Sequence, residues 1–368
     1  MPRVIGIDPG TVTIDLCGLD DGRVFLDRSL PTAQALRDPA TLVALLEAAG
    51  SLDLVAGPSG YGLPLIRARE LAEEDVRLAL LAPPGEGGGI GGLASLLRAL
   101  ADSALPVVLT PGVVHLPTVP AHRKVNRVDL GTADKVCVAA LAVTEQARRL
   151  GRPLAATSFV LLELGGAFTA AVAVAEGRIV DGVGGSAGPL GFRAAGALDA
   201  EVAYLAGAVS KELLFWGGAA SIAGWDAATA SGERLADAHT PRERLARDAF
   251  VESAVKAAVS LTVSVPAPAE FLLSGRLAHL EGVGGAIARR LAPIAPTHLL
   301  EGYAAVAKPG AQGAALIADG LAGGANRALV DRLALREAHG GVLDHLYVVS
   351  PAQARARLGA IRRTEPPA

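Results

Sequence analysis

Two carboxylates in this chain stand where chemistry could be done. Asp8 and Glu163 close the apolar runs VIGI and FVLL, and glycine follows each of them, at Gly10 and at Gly165-Gly166. A carboxylate at the end of a buried strand is costly unless it meets water, a metal or hydrogen-bond donors. A glycine turn beside it lets backbone N–H groups approach phosphate oxygens, because no Cβ stands in the way. Thr11 and Thr13 add hydroxyls to the first of these turns. Mg²⁺ prefers oxygen ligands and keeps much of its water, so one or two such acids could organise it. Asp8 and Glu163 are therefore the expected metal-organising acids. Gly10, Thr11, Thr13, Gly165 and Gly166 are the expected phosphate contacts.

The elements that must position these residues form a repeat. Residues 4–25 and 159–180 superimpose without a gap at a constant offset of 155, matching Gly10 with Gly165, Asp21 with Glu176, Gly22 with Gly177 and Arg23 with Arg178. Each copy reads as an apolar strand, a glycine turn, a second strand, an acid-Gly-Arg turn and a third strand. Two such hairpins facing each other would grip one set of phosphates from both sides.

Between and after the repeats the pattern is mixed α/β. Val136, Ala140, Val143, Ala147 and Leu150 predict a helix over 132–150, ended by Gly151 and Pro153. Residues 52–57, 76–82 and 105–110 read as short buried strands, and Leu42–Ala49 and Leu93–Leu100 as helices. Phe250, Ala254, Ala257, Leu261 and Val265 mark a second long helix. The run Phe271–Leu273 reads as a strand that meets a turn at Ser274-Gly275. Gly310–Gly323 reads as a small-residue helix able to pack closely on a neighbour. The Gly/Pro-rich run 83–92 reads as a surface loop, LYVV near the end as a short strand, and the final RRTEPPA as frayed.

Composition narrows the function. Of the 368 residues, 51% are hydrophobic and 19% charged, which excludes a disordered chain and is enough for two cores. Lys+Arg of 34 against Asp+Glu of 37, with no basic block, gives no nucleic-acid or membrane-surface footprint. Cys17 and Cys137 cannot build a disulfide framework or a cluster site. The least charged stretch, 103–122, holds four prolines and cannot be a spanning helix. No signal-peptide pattern opens the chain, so a cytoplasmic protein is expected. The histidines lack HxxxH or HExxH spacing. The densest polar cluster is Arg123-Lys124-Val125-Asn126-Arg127-Val128-Asp129, just ahead of the helix that carries Asp134.

This order of features resembles the acetate and sugar kinase/Hsp70/actin superfamily, and within it the butyrate kinase branch. The opening Ile7-Asp8-Pro9-Gly10-Thr11-Val12-Thr13 is similar to the branch's I-N-P-G-S-T-S-T motif. Phe271-Leu272-Leu273-Ser274-Gly275-Arg276-Leu277-Ala278 resembles its adenosine motif. Gly188-Pro189, Phe192-Arg193 and Gly196-Ala197-Leu198 are similar to G-P-x-x-x-x-R-x-G-x-L, and Ala311–Gly320 resembles its second connecting helix. The matches run over about residues 4–323. Asp8 replaces the branch's Asn, Asp15 occupies a position where the branch carries Lys, Glu163 replaces the commoner Asp, Arg276 takes a second-glycine position, and Arg193 sits one residue before the branch's arginine.

The resemblance implies an α/β fold of two RNase H-like lobes, 1–151 and 152–323, with a nucleotide cleft between them and an extension over 324–368. It implies ATP and Mg²⁺ as cofactors and phosphoryl transfer to a short carboxylate, with no nucleic-acid or membrane partner and a homo-oligomeric state. By this carry-over Lys124, Arg127 and Arg193 would bind the acceptor or the transferring phosphoryl group, and Ser274, Gly275, Arg276 and Gly313 would border the nucleotide. Asp129 or Asp134 would serve as base if the acceptor were a sugar or alcohol. The alternative of another class is a nucleotide-binding regulator with little catalysis.

Overall fold

The computed structural model describes residues 2–83, 92–227 and 229–359. Most of the glycine-rich run 83–92 and all of RRTEPPA lie outside them.

Two five- or six-stranded sheets carry the fold. The first is built from β1 (Arg3–Pro9), β2 (Thr13–Asp20), β3 (Arg23–Pro31), β4 (Leu54–Pro58), β5 (Ile66–Arg67) and β6 (Val107–Thr110), in the order β3-β2-β1-β4-β6-β5. The second is built from β7 (Phe159–Leu164), β8 (Thr169–Ala175), β9 (Arg178–Val183), β10 (Glu270–Ser274) and β11 (Thr297–Leu299), in the order β9-β8-β7-β10-β11. In both, an antiparallel three-stranded meander continues into parallel strands reached by crossover. The repeat extends to irregularities. The register slips at Gly18/Leu19 in one meander and at Ala173/Val174 in the other, 155 residues on. The second turns match as well, with Asp21 and Glu176 both at φ 51° and Gly22 and Gly177 at 73° and 68°. These are the left-handed pairs that two-residue hairpin turns require.

Six helices matter for the site: α1 (Pro39–Glu47), α2 (Glu73–Leu80), α3 (Leu93–Asp102), α4 (Ala133–Leu150), α5 (Pro241–Leu261) and α6 (Pro309–Leu321). The expected strand over 76–82 is instead the end of α2. Three acids, Glu73, Glu74 and Asp75, fill its first turn, and the Asp75 carboxylate accepts from Ala72 N, so local capping favours helix over strand. A short apolar run does not by itself distinguish the two. The expected strand LYVV is not formed; Tyr347 and Val348 are exposed and pair with no strand. The long helix α5 stops at Leu261, four residues before Val265.

Although α6 comes late in the chain, it packs on the first sheet. Its backbone lies so close to β1 that a Cβ on Gly6 would sit 2.2 Å from Ala311 O. On its other side a Cβ on Gly313 would sit 1.8 Å from Cys137 O of α4. Gly313 is therefore a helix-crossing residue, which corrects its expected place beside the nucleotide. Leu329, Val330, Leu333, Val342 and Leu343 join the same core, while Phe192, Phe250 and Phe271 centre a second one. Gly313→Ala is expected to cost about 3 kcal/mol in urea denaturation, because a backbone carbonyl rather than a pliable side chain must give way.

Candidate functional site: a cleft between two sheets

The parallel strands of both sheets end at one cleft. Asp8 and Pro9 end β1, Pro58 ends β4, and Glu163 lies one residue before the end of β7; all four line a cavity of about 230 Å³. Beyond β1 the chain turns through Gly10, whose N–H donates to Thr13 O at 3.0 Å. Beyond β7 it turns through Gly165, whose N–H donates to Phe168 O at 3.0 Å. The two tips meet: a Cβ on Gly166 would lie 3.6 Å from Val12 Cγ2. On the second wall β10 hands over to Gly275 at φ 90°, where a side chain would sit 2.4 Å from Leu164 O. Only glycine makes that turn, and it places Arg276 at the cleft.

The polar end of the cleft is an alternation of acids and lysines. Lys135, on the first turn of α4, places its ammonium 2.5 Å from Asp134 Oδ2 and 2.6 Å from Glu163 Oε2, tying the helix to the second sheet. Burial opposes its charge, but Asp134 and Glu163 outweigh burial and hold it firmly protonated. The converse holds for Asp134: burial works against its ionisation, yet Lys135 and the Thr132 hydroxyl keep its carboxyl below the usual range. Lys308, immediately ahead of α6, sits 3.0 Å from Asp15 Oδ2 and donates to the Thr13 hydroxyl. Burial pushes the Asp8 carboxyl up to about 7; Asp134 adds to the rise, and Lys308 and Lys135 oppose it.

The same cleft also has an apolar wall. Tyr61, Ala79, Leu80, Leu93, Phe168 and Phe215 form it. Phe168 and Phe215 meet edge to face, with centroids 4.7 Å apart. Lys211 lies over the Tyr61 ring at 5.0 Å, so the segment bearing Lys211 and Phe215 reaches across to the loop after β4. Burial, with Asp129 contributing, pushes the Tyr61 phenol up to about 12.

Of the residues expected from sequence, Asp8, Gly10, Thr11, Asp129, Asp134, Glu163, Gly165, Gly166, Gly275 and Arg276 line this cleft. Thr13 and Ser274 stand just behind it, Thr13 as a partner of Asp15 at 2.7 Å and Ser274 buried at the end of β10. Lys124, Arg127 and Arg193 are not among the lining residues. Lys124 is buried and donates to Leu116 O at 3.0 Å, and Arg127 reaches Ala187 O at 3.3 Å. The backbone of Arg193 is stitched to Ala167 and Gly218. Asp129 is a brace: Oδ2 accepts from Ser186 N at 2.9 Å and Ser186 Oγ at 2.7 Å, and Oδ1 accepts from Gly131 N at 3.2 Å. Lys135, Lys308, Phe168 and Phe215 line the cleft in addition to the residues expected from sequence. The readable signals were the Asp134-Lys135 adjacency and a cation directly before Pro309-Gly310.

Among the described residues no three His, Cys, Asp or Glu side chains group to hold a metal ion. Asp8 and Glu163 border the two glycine turns, Glu163 with one oxygen engaged by Lys135, an arrangement that fits Mg²⁺ met through its water shell. Among the described residues no helix is long and apolar enough to cross a membrane.

The family model described as "Protein of unknown function (DUF1464)" matches residues 6–348. No curated protein matches the chain in sequence. Among solved structures, a propionate kinase from Francisella tularensis subsp. tularensis SCHU S4 superimposes with a TM-score of 0.60 at 13% identity, covering 85% of this chain and 99% of that one. Acetate kinase from Porphyromonas gingivalis gives 0.56 at 13% identity, covering 80% and 88%, and acetate kinase from Entamoeba histolytica gives 0.56 at 12%, covering 79% and 86%. The fold is thus a two-sheet, mixed α/β architecture similar to that of these acetate and propionate kinases.

Proposed function

The chain belongs to the DUF1464 family, and for it we propose ATP-dependent phosphoryl transfer to a small carboxylate with an apolar body, of the butyrate kinase type, giving an acyl phosphate and ADP. The observation that carries this reading is the pair of acid-tipped glycine hairpins, 155 residues apart in sequence, that meet across one cleft. We assign them to two lobes, 1–151 and 152–323, with α6 returning to the first.

In this reading the Gly10 and Gly165 N–H groups close the two turns, the N–H groups of Thr11 and Gly166 at their tips hold phosphate oxygens, and Gly275 and Arg276 border the nucleoside. Asp8 and Glu163 hold the water shell of Mg²⁺, which when bound neutralises charge on the phosphates. Lys135 keeps Asp134 ionised and fixes both Asp134 and Glu163 in place. The chain's contribution is positioning and charge stabilisation. A carboxylate acceptor is already ionised at neutral pH and needs no base. A hydroxyl acceptor would need one, and Asp129 and Asp134 have both oxygens engaged by donors. The wall of Tyr61, Leu80, Leu93, Phe168 and Phe215 suits an alkyl or aryl body better than a polyol, whose hydroxyls it would leave unpaired.

Trapping acyl phosphate with hydroxylamine, using ATP, Mg²⁺ and a panel of acids from acetate to aromatic carboxylates, tests this. Product is expected with four-carbon or larger acids. Phe215→Ala should raise their KM by roughly 10-fold, with little change in KM for ATP. Nucleotide-dependent thermal stabilisation without product from any acid or sugar would leave only a nucleotide-binding regulator.

A further inference from the structure

We infer that Lys308, at the start of α6, is the cation that binds the nucleotide's phosphate chain. The inference rests on the proposed function and names a residue for it. Asp15 lies in β2, is fully buried, and has Thr13 Oγ1 at 2.7 Å and Lys308 Nζ at 3.0 Å as partners. A carboxylate in that setting needs a compensating charge, and the chain supplies it from almost 300 residues away. The Lys308 side chain remains 35% exposed and lines the cleft. Its ammonium lies 3.2 Å from where a Cβ on Gly10 would stand, beside the first glycine turn.

The segment carrying Lys308 is built to hold it still. Asp27 accepts from the N–H groups of Ala305 at 2.9 Å, Val306 at 3.0 Å and Ala307 at 2.6 Å. Gln312 Oε1 accepts from Tyr303 N and Ala304 N at 2.7 and 3.1 Å, and its amide donates to Ala307 O at 2.7 Å. Buried Glu145 accepts from Gly302 N at 2.8 Å. Three side chains from three elements thus fix the backbone up to residue 307. Such preorganisation is what a phosphate-binding cation needs in order to act without an ordering cost. The anchored stem and exposed tip let the ammonium keep Asp15 while reaching a phosphate oxygen.

The test compares binding of ATP, ADP and adenosine by calorimetry to the full chain, so that it reads phosphate recognition rather than turnover. Wild type is expected to prefer ATP over adenosine. Lys308→Met should cut that preference by roughly 10- to 100-fold, the scale of one charge-assisted contact, and leave adenosine binding unchanged. Lys308→Arg should retain most of it. Because Lys308→Met strands the buried Asp15, the double variant Asp15→Asn/Lys308→Met is measured beside it; it should be as stable as wild type to within a few degrees and still lack the preference. An undiminished ATP preference in the folded double variant overturns the assignment of Lys308 alone. Wild type that binds neither ATP nor ADP overturns the proposed function, and this assignment with it.

Discussion

Asp8→Asn is expected to abolish most phosphoryl transfer, by about 100-fold or more, while making the nucleotide-free protein more stable at alkaline pH. Both effects arise from the same burial. The Asp8 carboxyl is pushed up to about 7 because ionising it places charge in a desolvated pocket already facing Asp134, and Lys308 and Lys135 recover only part of the cost. Its folded pKa lies above that of an unfolded aspartate. The contribution to stability is therefore fully present below about pH 4 and is lost as pH rises through about 7. Asparagine carries no such cost. The two proteins should have similar urea midpoints near pH 4 and diverge above it, the variant being ahead at pH 8 by about 2–4 kcal/mol. Nucleotide with Mg²⁺ should narrow that gap, since the ionised form is the one proposed to meet the cation's water shell. Parallel pH–stability curves for the two proteins, or retained acyl phosphate formation by the variant, would contradict the role given to Asp8.

Lys135→Met should be the most damaging substitution for the fold, costing about 3–5 kcal/mol at pH 8. The side chain is 12% exposed and its ammonium lies between Asp134 and Glu163. Removing it leaves Asp134 and Glu163 without their shared partner in a largely buried part of the cleft. The direction with pH follows from Asp134, whose carboxyl Lys135 and Thr132 hold below the usual range against the opposing effect of burial. Stability from a depressed carboxyl is present at neutral pH and fades as pH falls, so the gap between variant and wild type should shrink toward pH 4. Lys135→Met/Glu163→Gln should recover part of the loss by removing one stranded charge. Equal loss at pH 8 and pH 4, with no recovery in the double variant, would show that Lys135 acts through packing alone.

Local chemistry was readable along the chain. The twin hairpins follow from apolar strands punctuated by glycine turns, and the acid-Gly-Arg turns at 21–23 and 176–178 reproduce even the left-handed angles. The helix after Thr132 and the small-residue helix at Pro309–Leu321 announce themselves by spacing and by Gly151 or Pro309 at their ends. Asp8 and Glu163 followed from where two strands stop. The run at 76–82 is helical rather than the expected strand, because apolar residues alone do not choose between the two, whereas the acids at 73–75 do.

Only the tertiary structure decided which charges answer one another. The pairing of Asp15 with Lys308, of Glu163 with Lys135, and of Phe168 with Phe215 joins residues whose separation along the chain carries no periodic signal. The arginines at 127 and 193 look alike as letters to the lysines that line the cleft, and backbone routing alone sends them elsewhere. Short-range patterning sets the elements because turns, caps and alternation act over a few residues. The electrostatic environment of the cleft depends on contacts that exist only once the two sheets and α6 have come together.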